Sequence, residues 1–164
     1  MTVIDELVEA NRHFANALGD VEKPSLPPTR KVAIVTCMDA RIVPARIFGL
    51  EEGDAHVIRN AGGRTPEALR SLVISQRLLG TEAVMVVQHT DCGMLTFTNE
   101  DLYAKVEQDL GADARQIDFL PFPDLDRNVR ADVDFLRQSP LIADAIEIRG
   151  FVYDVETRRV REVT

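Results

Sequence analysis

Three short runs of apolar, largely β-branched residues constrain this chain more than any other feature. Lys31 to Thr36 (KVAIVT), Ala55 to Arg59 (AHVIR) and Ala83 to Gln88 (AVMVVQ) read as strands. Helical patterns separate them. A short helix is expected around Pro44 to Phe48, with Gly49 near its end. Thr65-Pro66 opens a longer one, with Thr as N-cap and Pro at N1; Leu69, Leu72, Val73 and Leu79 share one side and Gly80 is the stop. A further helix spans about Asn99 to Leu110. Asp124 to Arg137 is amphipathic, with Leu125, Val129, Val133 and Leu136 inward, mixed charges outward, and Ser139-Pro140 as its end. The tail, Ala145 to Val163, reads as two strands with a turn near Glu156-Thr157-Arg158. This order predicts an α/β fold: a mostly parallel central β-sheet flanked by helices, with an antiparallel C-terminal edge strand. Val3 to Leu18 is one more helix, stopped by Gly19 and joined to the body by an arm containing Pro24, Pro27 and Pro28. The 164 residues suit one domain, 1–164.

In open α/β sheets, sites form beyond the carboxyl ends of the strands. Two motifs fall there: Cys37-x-Asp39-x-Arg41 after the first run and His89-x-x-Cys92 after the third. The first and third strands of such a sheet can be neighbours, which would bring Cys37, His89 and Cys92 together. Two thiolates and one imidazole are a good zinc set, and three protein ligands leave the fourth tetrahedral position open. Taken singly, each cysteine reads as a small buried hydrophobe and the histidine as a satisfied structural residue. The combination at two strand tips favours ligation. His13 lies in the first helix and His56 inside a strand, where a structural role is expected. A Cys37–Cys92 disulfide is the competing use of the thiols, and a redox pair lacks the C-x-x-C spacing.

Asp39 and Arg41 read either as an ordinary surface ion pair of little net worth or as a switch. In the switch, Arg41 holds the carboxylate off the metal; released, Asp39 could itself become a ligand. Held, Asp39 could orient the lone pair of a metal-bound hydroxide toward substrate. Composition narrows the alternatives. Two cysteines exclude a disulfide scaffold and make a reducing cytoplasm the default. The start, Met1 to Glu6, has no basic n-region or long apolar h-region, so a signal peptide is not expected. No apolar run approaches a membrane span. A net charge of −8 argues against nucleic acid and against an anionic membrane surface as partners.

Together these residues resemble the β-class carbonic anhydrase family. The resemblance is carried by Cys37-Met38-Asp39-Ala40-Arg41, by Gly53-Asp54-Ala55 leading to Arg59-Asn60-Ala61-Gly62, and by His89-Thr90-Asp91-Cys92-Gly93. Ser139-Pro140-Leu141-Ile142 and Gly150-Phe151-Val152-Tyr153-Asp154 extend it, so that it covers about Val32 to Val155. It implies one Zn²⁺ per subunit on Cys37, His89 and Cys92, with Asp39 and Arg41 as catalytic dyad and Asp39 as a ligand in the closed form only. It implies reversible hydration of carbon dioxide to bicarbonate by zinc-bound hydroxide. The short branch of the family also contains carbonyl sulfide and carbon disulfide hydrolases, so that chemistry is the alternative; a non-catalytic zinc-binding protein is a third reading. The family is built as a dimer, or higher even oligomer, with the N-terminal helix on its partner, which gives residues 1–28 a role. Two departures stand out. Many members have glutamine where this chain has Glu51-Glu52, and an ionised glutamate would repel bicarbonate; many have Gly-Gly where it has Gly93-Met94. Val43, Phe48, Met94 and Leu95 are near enough in sequence to wall a small apolar pocket.

Overall fold

Strand residues buried on both faces need cover on both sides, and the computed structural model shows how this chain provides it. It describes residues 2–19 and 22–164. Helix α1 (Val3–Leu18) is followed by β1 (Val32–Cys37), α2 (Pro44–Phe48), β2 (Ala55–Asn60), α3 (Thr65–Leu79), β3 (Ala83–His89), α4 (Asn99–Leu110), α5 (Leu125–Gln138), β4 (Glu147–Tyr153) and β5 (Val160–Glu162). The sheet order is β2-β1-β3-β4-β5. β1 pairs in parallel with both β2 and β3, β3 with β4, and only β5 runs antiparallel, on the edge of β4. The expected fold class is therefore the observed one, and β1 and β3 are direct neighbours.

On one face, Ala33, Val35, Val84, Val86 and Ile148 pack beneath α3 and α5 through Ala68, Leu72, Val133 and Leu136. On the other, Ile34, Val87 and Tyr153 pack with Ile42 and, from α2, Ile47 and Phe48. Three sequence expectations are corrected. Each of the first three strands runs one residue further than its apolar run, to Cys37, Asn60 and His89, because Cys37 still pairs with Asn60 and His89 with Tyr153. Thr65 is the first residue of α3 instead of its cap; Arg64 holds the N-cap position without a side-chain cap, and the Thr65 hydroxyl donates to the Asp132 carbonyl at 2.8 Å. On α5 the charges are not all outward, because Asp132 is 1% exposed on the same stripe as Val129 and Val133.

Helix α1 has a Thr2–Asp5 capping box and ends at Gly19, yet none of its residues is buried. Val3, Ile4, Leu7 and Phe14 are 60–68% exposed. The arm expected after it begins in residues 20 and 21, which lie outside the described residues. Among the described residues no helix is long and apolar enough to cross a membrane.

Candidate metal centre

Parallel pairing puts the carboxyl ends of β1, β2 and β3 side by side, and the candidate ligands stand there. Cys37 closes β1 and His89 closes β3. Cys92 follows Asp91, whose φ of 54° turns the chain back toward β1. The three side chains are 4%, 1% and 3% exposed, respectively. Their ligating atoms all lie within 4.8 Å of one another, and the two Sγ atoms are 4.0 Å apart. The Ala61–Gly63 turn closes the site from below. Gly62 (φ 80°) donates its N–H to Cys37 Sγ at 3.3 Å. A Cβ on Gly63 would come within 2.8 Å of the Thr36 backbone, so only glycine lets the turn reach the end of β1.

The His89 ring is held in one tautomer. Its Nδ1 lies 2.8 Å from the Thr90 carbonyl, which can only accept, so Nδ1 carries the proton and Nε2 presents its lone pair. That Nε2 is buried and has no hydrogen-bond partner among the described residues. Leaving a buried polar atom unpaired costs about 1–3 kcal/mol. An atom left this way beside two thiols suits a metal ion. The sulfur spacing agrees, since tetrahedral Zn–S bonds of about 2.3 Å place two sulfurs roughly 3.8 Å apart. The two thiols lie within hydrogen-bonding reach of each other. The hydrogen bond from Cys92, aided by the Gly62 N–H, holds Cys37 well below the ordinary thiol range; the same hydrogen bond to Cys37, and burial, push Cys92 up. For His89, burial pulls downward, but Cys37, Thr90 and Asp39 outweigh it and leave the imidazole raised.

Asp39 and Arg41 meet as the sequence suggested. Arg41 Nε donates to Asp39 Oδ1 at 3.0 Å and Nη2 to Oδ2 at 2.8 Å, with the Arg41 N–H adding a third bond to Oδ1 at 2.9 Å. These bonds, the guanidinium's first, hold the Asp39 carboxyl well below the usual carboxylate range and raise Arg41 in turn. Asp39 Oδ2 is 3.8 Å from His89 Nε2, so the carboxylate faces the ligand set. Arg59, from β2, donates to the carbonyls of Cys37 at 3.0 Å and Asp39 at 2.8 Å and fixes the intervening backbone.

Some expectations are revised. Met94 and Leu95 pack in the thiol cluster, whereas Phe48 packs in the α2 core on the other face of the sheet. Glu51 and Glu52 precede β2 and are exposed. With Val32 opposite Ala55 and Cys37 opposite Asn60, they stand at the far end of the strands, roughly 16 Å from the tips at about 3.3 Å per residue. The repulsion expected from them does not act within one chain. His56 has a structural role, with Nδ1 2.7 Å from Ser75 Oγ. Two contributors were missed. Asp91 shares Arg41, accepting from Nη1 at 2.6 Å. Phe122 packs on the thiols from a distant loop; its only signal was an aromatic residue between two prolines.

A parallel-cored sheet with two thiols and an imidazole converging at its strand tips defines an α/β protein with a candidate metal site, and comparison with known proteins specifies it. The carbonic anhydrase family profile matches residues 32–118. Beta-carbonic anhydrase 1 of Mycobacterium tuberculosis is 41% identical over 167 residues, spanning 100% of this chain and 99% of that protein. A carbon disulfide hydrolase of Acidianus sp. is 36% identical over 161 residues, spanning 84% and 79%. The crystal structure of carbonic anhydrase from Streptococcus mutans superposes with a TM-score of 0.94 at 48% identity, covering 100% of this chain and 99% of that one. The chain belongs to the β-carbonic anhydrase family, a family of enzymes.

Proposed function

We propose that this protein is a zinc-dependent carbonic anhydrase that interconverts carbon dioxide and bicarbonate. The observation that carries the reading is the buried, unpartnered His89 Nε2 facing two thiols, with the Asp39 carboxylate 3.8 Å away. Cys37, His89 and Cys92 would hold one zinc ion per subunit. Bound there, zinc supplies the Lewis acidity that makes water a nucleophile near neutral pH. The Thr90 carbonyl keeps the His89 lone pair on the metal side. Asp39, kept ionised by Arg41, accepts a hydrogen bond from the attacking water at Oδ2 and aims its lone pair at the substrate carbon. Arg41 also restrains Asp39 from joining the ligands; released, Asp39 would enter the set and close the site. Met94, Phe122 and Leu95 line the cluster with apolar surface suited to a neutral linear molecule.

Within this reading residues 1–164 form one cytoplasmic domain, and residues 1–28 pack on the partner of a homodimer or higher even oligomer. The exposed apolar side chains of α1 support that packing. Similarity to a carbon disulfide hydrolase favours a second reading, in which the same site hydrolyses carbon disulfide or carbonyl sulfide. One purified sample with zinc quantified, assayed for carbon dioxide hydration and for sulfide release, decides between them. Cys37→Ser, His89→Ala and Cys92→Ser should each lose zinc and activity together. A variant that keeps both removes that residue from the ligand set.

A further inference from the structure

Phe122 belongs both to the thiol cluster and to the lining of a groove beside it. It is 5% exposed and packs with Cys37, Cys92 and Met94. It also lines, with Leu95, Phe97 and Pro121, a groove of about 500 Å³. Exposed Glu100 lines the same groove.

The ring is held from several directions. The Phe122 N–H donates to the Met94 carbonyl at 3.1 Å. The Arg64 guanidinium stands 5.6 Å over the ring centre, and Arg64 Nη1 donates to the Leu120 carbonyl. Leu120 has a φ of 56°, a left-handed conformation that costs a non-glycine residue on the order of 1–2 kcal/mol and persists only where its surroundings impose it. Across the site, a Cβ on Gly62 would lie 3.1 Å from the ring and 3.0 Å from Met94 Cγ, so the ring sits as close to that turn as glycine allows.

Arg64 is itself fixed. Its Nε donates to Asp132 Oδ2 and its Nη2 to Oδ1, each at 3.0 Å. Asp132 Oδ2 also accepts from the Thr65 N–H at 3.2 Å and from Gln88 Nε2 at 3.0 Å. Gln88 is the residue before His89. The ion pair thus joins α5, the start of α3, the ligand strand β3 and the Phe122 loop. A buried ion pair adds little stability over well-packed apolar groups. Placement is the better account of one that reaches a single ring on the site.

We propose that Phe122 is the specificity-determining wall between this groove and the thiol site, with Arg64 and Asp132 as positioning residues that set the width it leaves for a linear apolar substrate approaching along the groove. This rests on the reading of the site as a zinc enzyme for carbon dioxide or its sulfur analogues.

The test uses zinc-loaded protein and three substrates: carbon dioxide, carbonyl sulfide and carbon disulfide. Phe122→Leu should keep its zinc and raise the kcat/KM ratio of carbon disulfide to carbon dioxide by about tenfold, the order of effect that small volume changes in an apolar pocket produce. Asp132→Asn should move the ratio the same way, whereas a merely structural role would lower all rates in proportion. Glu100→Trp, outside the site, should lower kcat/KM for every substrate several-fold with zinc content unchanged. A Phe122→Leu protein with full zinc and an unaltered ratio overturns the wall, and wild-type rates in Glu100→Trp overturn the approach. If zinc-loaded wild type turns over none of the three, the enzyme reading itself fails and takes the proposal with it.

Discussion

Two aspartate–arginine pairs in this molecule have nearly the same hydrogen-bond geometry and opposite surroundings. Arg41 and Asp39 are neighbours in sequence, with side chains 49% and 18% exposed. Arg64 and Asp132 are 68 residues apart, with side chains 10% and 2% exposed. The first pair shares its guanidinium with Asp91, so Arg41 keeps a carboxylate partner and solvent when Asp39 leaves. The second has no such reserve; separating it would leave a cation and an anion in a dry interior. Environment, more than contact geometry, would let the first pair exchange as the proposed switch requires and would hold the second as a strut. The solvent-exposed pair faces the candidate ligands, and the buried one stands behind Phe122.

Asp132→Ala is the strongest challenge to this contrast. Removing one partner of a buried pair should destabilise the protein by about 3–5 kcal/mol, read as a lower denaturant midpoint. A loss below about 1 kcal/mol would erase the distinction between the pairs. Asp39→Asn should instead unfold close to the wild-type midpoint and keep its zinc, while losing rate on the order of a hundredfold. Metal loss in that variant would place Asp39 among the structural supports.

The smallest effect is a pH dependence. The Asp39 carboxyl is held below its unfolded value of about 3.9, so its stabilisation is fully present above that value. It disappears as pH falls through the depressed folded value. The stability difference between wild type and Asp39→Asn should therefore stay flat from about pH 5 to 8 and shrink only in stronger acid. A difference that changes near neutrality would assign the dependence to another group.

What could be read from the sequence followed from local pattern. The ends of α1, α2 and α3 lie at Gly19, Gly49 and Gly80, where glycine caps them. The meeting of Cys37, His89 and Cys92 followed from two strand tips and one parallel pairing. The supporting layer was not legible. Asp132 stands among charges on an amphipathic helix; helical spacing sets it apart from Asp134 but not from Asp126, and nothing local supplies its buried partner Arg64. Arg64 and Leu120 meet only because β2, α3 and the loop before α5 converge on one end of the sheet. Leucine gives no sequence sign of a left-handed backbone. Contacts across such separations depend on tertiary packing, which periodicity does not encode.

Cys37 and His89 are the last paired residues of two adjacent parallel strands. Their positions are thus set by a ladder of backbone hydrogen bonds that would exist with or without an ion. In small zinc domains, by contrast, ligation itself supplies the folding energy. On the proposed reading, zinc would enter a socket that the sheet has already formed. Chelation should therefore yield a folded, inactive protein with an unchanged far-ultraviolet circular dichroism spectrum, and added zinc should restore activity without a refolding step.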